Sequence, residues 1–352
     1  MRSTVRPTIK DVAKAAGVSP TTVSHALNGK GVVRQETAER IARVAADIGY
    51  RPSPIAQGLQ NSKLGLLALV IRPLHTLDTF LPEGVDYFLR MAGAASLAAM
   101  ERGYSMMLVD DPTRPDAPLS ATAADAYIVS EPFEHDPVLT MLDQRNIPFV
   151  VIGSDPARPG QFVELATRDR EETLLALDHL HDAGARRVAL VTGTDGNSWN
   201  RESEDAYREW CALRGQLPDI AAFPESDGEG AGEAAIERFF GVGAASRARD
   251  APDAIFCLTG RHAAGLNAAA ARRGIRVPDD LLLAAGSGAL QNRISRPSVT
   301  TLDLHPEGIA ARAVEVAVLL AEGKPLDIPL EVPRATLDVR ESTMRNAPSP
   351  TE

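Results

Sequence analysis

Hydrophobic residues follow two different spacings along this chain. Near the N-terminus they recur at helical spacing, and after residue 63 they form short continuous runs separated by helical stretches. In the first helical stretch, Thr8 and Asp11 predict a capping box at the start, and Gly17 predicts the end. The apolar face between them, at i, i+3, i+4 and i+7, consists of Ile9, Val12, Ala13 and Ala16.

Two more short helices follow. Ser19 predicts the N-cap of the second helix, and Pro20 fits its first turn, where a missing N–H costs nothing. Asn28-Gly29 breaks this helix, whose inward residues are Val23, Ala26 and Leu27. The third helix stops at Gly49 and has an apolar face of Ile41, Val44, Ala45 and Ile48.

The first two helices and the glycine-containing turn between them form a helix-turn-helix pattern. The second would be the recognition helix. Its outward face carries small or polar groups that can reach phosphates or base edges, namely Thr21, Thr22, Ser24 and His25. Periodicity alone leaves open a three-helix bundle with no role in DNA binding.

The distribution of charge favours the DNA-binding interpretation. The chain has 352 residues and a net charge of −10. Residues 1–63 hold ten Lys and Arg against four Asp and Glu, a net charge of +6, which leaves −16 for the rest. A small basic head on a large acidic body indicates that the head meets a polyanion.

A linker follows the head at residues 51–62. Ser53 and Pro54 can start a short helix there, but a segment of this length is not stably helical alone because nucleation is costly. Leu59 would be an apolar side chain on a polar segment with nothing of its own to pack against. The segment is therefore expected to fold when it docks.

The acidic body is predicted to consist of two α/β lobes. Strands alternate with helices, which indicates parallel sheets covered on both faces. Ligands of such sheets bind outside the carboxyl ends of the strands. The expected strands are 64–71, 104–109, 126–129, 148–152, 188–192, 254–258 and 281–285, and the expected helices are 83–102, 170–183, 202–213, 262–273 and 309–322.

Several classes of protein do not fit the sequence. No apolar run reaches about 18 residues and no apolar segment follows the N-terminal charges, so neither a membrane span nor a secretory signal is expected. Cys211 and Cys257 belong to no C-x-x-C pair, which favours a reduced, cytoplasmic protein. P-loop, H-E-x-x-H and G-x-S-x-G motifs are absent, so no enzyme and no cofactor are expected. His179 and His181 lie two residues apart, a spacing that does not suit a metal.

The head resembles that of LacI-family transcription regulators over about its first sixty residues. The resemblance rests on three segments: Thr8-Ile9-Lys10-Asp11-Val12-Ala13-Lys14-Ala15-Ala16-Gly17-Val18-Ser19, then Thr22-Val23-Ser24 with Leu27-Asn28-Gly29, and Ile48-Gly49-Tyr50-Arg51-Pro52. It implies a homodimer whose recognition helices enter two major grooves of an operator. It also implies paired hinge helices in the minor groove, each inserting a leucine between base pairs.

The resemblance assigns roles in DNA binding to particular residues. Those implied to face bases are Pro20, Thr21 and His25; those implied to meet phosphates are Ser19, Thr22, Ser24, Asn28 and Tyr50; those of the hinge are Ala56 and the wedge Leu59. Pro20 offers only apolar contact. Gln57 replaces a frequent hinge arginine, and Gly58 loosens the hinge, so operator sequence and affinity are open.

The body resembles the effector domain of the same family, which is similar in fold to periplasmic sugar-binding proteins. Short matches in the right order carry this resemblance: Arg102-Gly103-Tyr104, Ile147-Pro148, Arg186-Arg187-Val188-Ala189, Val277-Pro278-Asp279-Asp280 and Thr300-Thr301. It implies two lobes joined by three crossovers, with an effector in the cleft and a dimer interface along both lobes. A sugar or related metabolite is the implied effector class.

The predicted cleft departs from the family pattern. Thr259-Gly260 stands where the family often has Asn-Asp, and Gly286-Ser287-Gly288 where it often has Gly-Phe-Asp. Ser203 takes the usual ligand-arginine position, so either Arg201 substitutes for it or the register differs. Trp199 could stack on a ligand or pack in the protein. The candidate effector-binding residues are Phe80, Glu131, Trp199, Arg201, Thr259 and Ser287.

The resulting hypothesis is a ligand-responsive repressor with a helix-turn-helix head, a hinge and a two-lobed body. The expected boundaries are 1–50, 51–62 and 63–340, followed by a disordered tail at 341–352. That tail has two prolines and no heptad pattern, so assembly is expected to stop at a dimer. The alternative is a solute-binding protein whose basic head is incidental.

Overall fold

The computed structural model describes residues 7–27, 33–51, 63–71, 86–241 and 251–345. The chain divides into two compact units, Met1–Gly65 and Leu66–Glu352. Of the residues given a role in binding DNA or effector above, Asn28, Ala56, Leu59 and Phe80 lie outside the described residues, as does the predicted hinge helix with Ser53, Pro54, Gln57 and Gly58.

The head contains the three predicted helices, α1 (Ile9–Ala16), α2 (Pro20–Leu27) and α3 (Gln35–Asp47). The predicted capping box is present: the Asp11 carboxylate accepts hydrogen bonds from the Thr8 backbone N–H (2.8 Å) and hydroxyl (2.7 Å). The inward residues of the three helices meet in one core, in which Val12, Val23 and Ile41 are fully buried. The helical periodicity of the head is therefore confirmed.

The first lobe of the body is built on a parallel sheet. Its strands are β1 (Leu66–Val70), β2 (Ser105–Val109), β3 (Ala126–Ser130), β4 (Phe149–Ile152) and β5 (Glu164–Leu165), and they pair in the order β2-β1-β3-β4-β5. In the described part of this stretch of chain, the helices are α4 (Asp86–Glu101) and α5 (Pro137–Gln144). Residues of β1, β3 and β4 are almost all buried, as expected for strands covered on both faces.

The second lobe carries a six-stranded sheet. Its strands are β6 (Val188–Thr192), β7 (Ile220–Ala222), β8 (Ala254–Cys257), β9 (Leu282–Ala285), β10 (Thr300–Asp303) and β11 (Thr336–Asp338). They pair in the order β11-β10-β9-β8-β6-β7, and only the β10–β11 pair is antiparallel. The helices of this lobe are α6 (Asp169–Asp182), α7 (Ser198–Leu213), α8 (Glu229–Phe240), α9 (Gly260–Arg272) and α10 (Leu290–Ile294).

Three crossovers join the lobes, as the resemblance implied. The chain passes between them at 165–169, at 303–306 and at 321–336, and α11 (Pro306–Ala321) packs in the core of the first lobe. Arg90 on α4 ties this lobe to the second crossover: it lies 3.2 Å from the Asp303 carboxylate and 2.6 Å from that of Glu307. None of the helices in the described part of the chain is long and apolar enough to span a membrane.

The seven predicted strands and five predicted helices of the body are present, with ends shifted by a few residues. Helix α7 begins at Ser198 rather than at residue 202, because the Asn197 side chain caps it by accepting the Asn200 backbone N–H (2.9 Å). The sequence patterns did not predict the helices α5, α8 and α10 or the strands β5, β7, β10 and β11. Asp136 marks the start of α5, since its carboxylate accepts the Val138 N–H at 2.8 Å.

The expectation of a disordered tail from residue 341 is wrong at its beginning. Glu341–Thr343 form a 3₁₀ helix in which Ser342 and Thr343 are buried. The Ser342 hydroxyl accepts the Thr300 backbone N–H (2.8 Å) and donates to the Leu283 carbonyl (2.5 Å). These bonds satisfy backbone groups of the neighbouring strands β9 and β10, so the body extends to residue 345.

Candidate functional site

The start of the recognition helix α2 is held by its own hydroxyl groups. Ser19 Oγ accepts the Thr22 backbone N–H at 3.1 Å and lies 2.8 Å from Thr22 Oγ1. This confirms Ser19 as the N-cap. The N–H groups at this end of a helix favour negative charge, which suits contact with a phosphate.

The side chains predicted to read bases lie on the outer face of α2. Pro20, Thr21 and His25 are exposed, whereas Val23 between them is fully buried. Thr22 and Ser24 are half-buried, and Tyr50 packs at the edge of the head core. The face that α2 offers to a partner is therefore small and polar, as its sequence indicated.

In the body, a cleft with a cavity volume of about 510 Å³ lies between the lobes. Its lining includes residues just after strands of the first sheet, such as Ile71, Asp111 and Glu131, and after strands of the second, such as Thr259 and Ser287. This is the position expected for a ligand site in parallel α/β sheets. Volumes of this size are typical of small-molecule pockets.

Aromatic side chains form much of the cleft wall, namely Tyr87, Phe88, Phe133 and Trp199. Trp199 lines the cavity and also packs against the core of the second lobe. It is therefore placed both to contact a ligand and to contribute to packing. Trp210, by contrast, is only 2% exposed and donates its indole N–H to Asp178 at 2.8 Å.

Thr259 and Ser287 line the cleft, but their hydroxyls are engaged within the protein. Thr259 Oγ1 caps α9 by accepting the His262 N–H (3.3 Å), and Ser287 Oγ accepts the Gly260 N–H (3.0 Å). The loops approach so closely that a Cβ on Gly260 would lie 2.6 Å from the Ser287 carbonyl oxygen. An aspartate could not replace Gly260 here without moving the loops apart.

Arg201 is not among the residues that line this cavity. Its guanidinium lies 3.1 Å from the Glu134 carboxylate of the other lobe, and about half of each side chain is exposed. Nearby, the Glu134 N–H donates to the Gly196 carbonyl at 2.9 Å, and Phe133 forms a β-bridge with Asn197. Arg201 therefore belongs to a contact between the lobes. Ser203, the alternative position, is buried, and its hydroxyl oxygen accepts a hydrogen bond from the Thr173 hydroxyl at 2.9 Å.

Three carboxyl groups of the cleft lie near one another. Glu131 follows β3 with a left-handed backbone (φ 48°), Asp169 is the first residue of α6, and Glu172 lies one turn further on. Burial, with repulsion from Asp169 and Glu172, raises the pKa of Glu131 well above its usual range. Burial, partly offset by the hydrogen bond from the Thr167 hydroxyl, raises the pKa of Asp169 to about 7.

The sequence patterns missed Asp169, Glu172 and Glu225 as cleft residues. Glu225 also organises the loop that carries Trp199: its carboxylate accepts the Thr194 N–H (3.1 Å) and the Asn200 side-chain amide (2.6 Å). Two signals could have found them: Asp169 and Glu172 lie at the start of a predicted helix, and Glu225 follows β7, a strand that was not predicted. Across the described ranges, no group of three or more His, Cys, Asp or Glu is arranged to hold a metal ion.

The fold and the sites together define a class of protein, a regulator with a helix-turn-helix head and a two-lobed body of the periplasmic-binding-protein type. A model of the bacterial regulatory proteins of the lacI family matches residues 8–53, and one of the periplasmic binding protein-like domain matches residues 177–343. The ribose operon repressor of Halalkalibacterium halodurans is 26% identical over 347 residues, covering 96% of this chain and 97% of that protein.

Solved structures share the fold. The lac repressor dimer bound to operator and the anti-inducer ONPF aligns with a TM-score of 0.74 at 18% identity, over 97% of this chain and 100% of that chain. A complex of the transcriptional regulator CelR with cellobiose aligns with a TM-score of 0.66 at 23% identity, over 96% and 100%. The chain belongs to the LacI family of transcriptional regulators, DNA-binding repressors that carry an effector domain and are not enzymes.

Proposed function

We propose that this protein represses transcription by binding a palindromic operator as a homodimer, and that a small-molecule effector binds in the interlobe cleft. The observation that carries the proposal is the presence, in one chain, of an exposed polar recognition face and a ligand-sized cleft. A protein acting on bacterial DNA in this way works in the cytoplasm.

The names of the similar proteins support binding of both operator DNA and a small-molecule effector. One is a repressor of a ribose operon, one structure holds operator DNA with a dimer and an anti-inducer, and one holds cellobiose. A sugar or related metabolite is accordingly the first effector class to consider for this chain. The domain limits proposed are a head at 1–50, a hinge at 51–62 and an effector-binding body thereafter.

We assign contacts with the bases and contacts with the DNA backbone to different residues of the head, and for the described residues we do so according to their exposure. Thr21 and His25 would read base edges, where a hydroxyl or imidazole can donate or accept. The backbone of the DNA would be met by Ser19, Thr22, Ser24, Asn28 and Tyr50, which position the helix without selecting sequence. Pro20 would add apolar contact, and Ala56 and Leu59 would act in the minor groove.

An apolar surface on the first lobe supports the homodimer. On α4, Leu97 is 63% and Met100 66% exposed, and Leu108 on the edge strand β2 is 45% exposed. Exposed apolar side chains of this size, close together on one lobe, favour burial against a second copy. A two-fold dimer also matches a palindromic site, because two recognition helices must be about 34 Å apart.

Effector control would operate through the contact between the lobes. Glu134 meets Gly196 and Arg201 at one side of the cleft, so a ligand that prefers one lobe arrangement changes how often this contact forms. The ligand must bind one arrangement better than the other, since equal affinities shift nothing.

The test is operator binding by the full chain. An operator is selected from random duplex DNA, and binding is followed by fluorescence anisotropy. We expect a palindromic consensus and a bound mass of two chains per site, with twice the 37.5 kDa chain mass also seen by light scattering at micromolar concentration. A Leu97→Glu variant should weaken both dimer and operator binding. Selection of no consensus would refute the proposal.

The hinge is tested separately with Leu59→Ala. If Leu59 wedges a base step, the substitution should weaken specific binding by roughly 10- to 1,000-fold and reduce the DNA bend. Gln60→Ala, next to it on the same segment, is the matched control and should bind nearly as wild type. Unchanged affinity and bending in Leu59→Ala would remove the wedge from the proposal.

A further inference from the structure

We propose that the effector of the interlobe cleft is a compact aromatic compound with one hydrogen-bonding end, rather than a sugar with hydroxyl groups around its ring. The inference deepens the proposed function and rests on it, because it names the class of effector that the cleft would take. This class is defined by shape and polarity, and it includes neutral and charged members alike.

The first observation is the apolar character of the cleft wall. Apolar atoms make up most of the surface that faces the cavity among the described residues. They come from all sides: Phe88 and Phe133 belong to the first lobe, Trp199 to the second, and Leu304 and Val332 to the second and third crossovers. A ligand that covers such a wall with apolar surface removes both surfaces from water, whereas a polyhydroxylated ring gives up its hydration.

Hydrogen-bonding side chains of the second lobe are already engaged within the protein. Thr259 and Asn197 cap the helices α9 and α7. Ser287 Oγ accepts the Gly260 N–H at 3.0 Å and donates to the Leu258 carbonyl at 3.3 Å. Recognition of a sugar at several hydroxyl groups requires a partner for each, because a buried hydroxyl without one costs free energy.

Charged groups of the wall are also held by neighbouring loops. Asp111 accepts a backbone N–H of its own loop at 2.8 Å, and Arg114 donates to a carboxylate of the same loop at 3.1 Å. The Glu225 carboxylate accepts backbone N–H groups of the loop that follows β6. The Arg261 guanidinium lies so close to Gly228 that a Cβ there would be 2.3 Å away. These contacts direct the four side chains toward the protein itself.

The end of β3 offers a hydrogen bond to a ligand. Ser130 lines the cleft and is 4% exposed, and within the described ranges its Oγ has no hydrogen-bond partner. A ligand group that pairs with this hydroxyl would recover the free energy that its isolation costs. Ser130 directly precedes Glu131, near which the carboxyl groups of Asp169 and Glu172 lie, so this end of the cleft is polar.

The aromatic residues favour an aromatic ligand over an aliphatic one. Tyr87 and Phe88 pack edge to face, with ring centroids 5.2 Å apart and an interplanar angle of 78°. Phe133 and Trp199 line the same cavity, whose volume is about 510 Å³. Aromatic rings gain from offset or edge-to-face contacts beyond the burial of their area, so a flat ring among these four side chains binds better than a puckered one.

Fluorine NMR of the full chain with two probes measures the preference. The aromatic probe is 4-fluorophenol and the sugar probe is 2-deoxy-2-fluoro-D-glucose, each at the same millimolar concentration. We expect the phenol signal to broaden by about threefold or more relative to the sugar signal, because its ring packs on the aromatic wall. Equal or greater broadening of the sugar signal, or no broadening of the phenol signal, overturns the proposal.

Unmodified sugars serve as competitors. D-ribose and cellobiose, added to the mixture of chain and 4-fluorophenol, should leave the broadened phenol signal unchanged. Displacement of the phenol by either sugar overturns the proposal.

Variants locate the probe. Trp199→Ala and Phe133→Ala, one from each lobe, should each reduce the broadening of 4-fluorophenol by about half or more. Leu213→Ser removes an apolar side chain that is 85% exposed at the end of α7, so it is the matched control for binding to the surface and should behave as wild type. Circular dichroism verifies that each variant is folded. Broadening that persists unchanged in both cleft variants overturns the proposal.

The polar end is tested with a pair of probes that differ in one hydroxyl group. The wild type should bind 4-fluorophenol about threefold or more tighter than 4-fluorotoluene, and Ser130→Ala should remove this preference. Ser226→Ala, which changes an exposed serine of the same cleft, is the matched control and should keep the preference. An unchanged preference in Ser130→Ala overturns the placement of the polar end at β3.

The two proposals fail separately. Binding of 4-fluorophenol in the cleft of a chain that selects no operator would leave the cleft chemistry standing and refute the proposed function. A sugar that releases the chain from a selected operator, with no binding of the aromatic probe, would do the reverse.

Discussion

The burial of Ser342 leads to a sharp prediction about the C-terminus. Ser342 is fully buried, and its single hydroxyl serves two backbone groups, the Thr300 N–H and the Leu283 carbonyl. Thr300 is also fully buried. The Ser342→Ala substitution leaves both backbone groups without this partner in a place that water does not reach.

The expected loss follows from the number of groups left unsatisfied. Leaving a buried N–H or C=O without a hydrogen bond costs about 1–3 kcal/mol, so two such groups give about 2–6 kcal/mol. The substitution removes only one oxygen atom, so the cavity that it leaves contributes little to the loss of stability. We therefore expect Ser342→Ala to lower the free energy of unfolding of the body by at least about 2 kcal/mol.

The assay is urea unfolding of the full chain, followed by circular dichroism and by tryptophan fluorescence. Ser120→Ala removes an exposed hydroxyl of the first lobe and should change stability by less than about 0.5 kcal/mol. Deleting residues 346–352 should also have little effect, whereas deleting 341–352 should be at least as damaging as Ser342→Ala. If Ser342→Ala unfolds at the same urea concentration as Ser120→Ala, the reasoning from burial is refuted.

Three further predictions concern the head and the cleft. His25→Ala should change which operator bases are preferred, as read by repeated selection from random DNA; an unaltered consensus would mean that α2 is placed differently. The folded-state pKa of Asp169 is raised to about 7, so the native chain keeps a proton that the unfolded chain releases near pH 4. The stability of the wild type should therefore decrease as the pH rises from about 4 to about 7. Asp169→Asn should therefore raise the Tm relative to wild type at pH 8 and not at pH 4, and a constant difference would contradict this. Gly260→Ala should destabilise by about 1–3 kcal/mol and weaken ligand binding because its Cβ would meet the Ser287 carbonyl, while Gly196→Ala, which has open space, should not.

The sequence by itself determined the elements whose information is local. Helical spacing, caps and a terminating glycine defined α1 to α3 of the head, and continuous apolar runs defined the buried strands of both lobes. These local patterns predict the elements correctly because each helix or strand buries one periodic face. The residues of that face lie close together in the sequence, so a short window is enough to recognise it. The outward position of Thr21 and His25 follows in the same way from the inward position of Val23.

Only the tertiary structure decided which side chains meet in the cleft. Glu131 and Asp169 come from different elements, and they converge because the first crossover returns the chain beside the end of β3. The same folding turned Arg201 away to Glu134 and brought Ser342 under β9 and β10. Such contacts join residues far apart in the chain, and no local periodicity encodes them, because the partner's position depends on how whole sheets and crossovers pack.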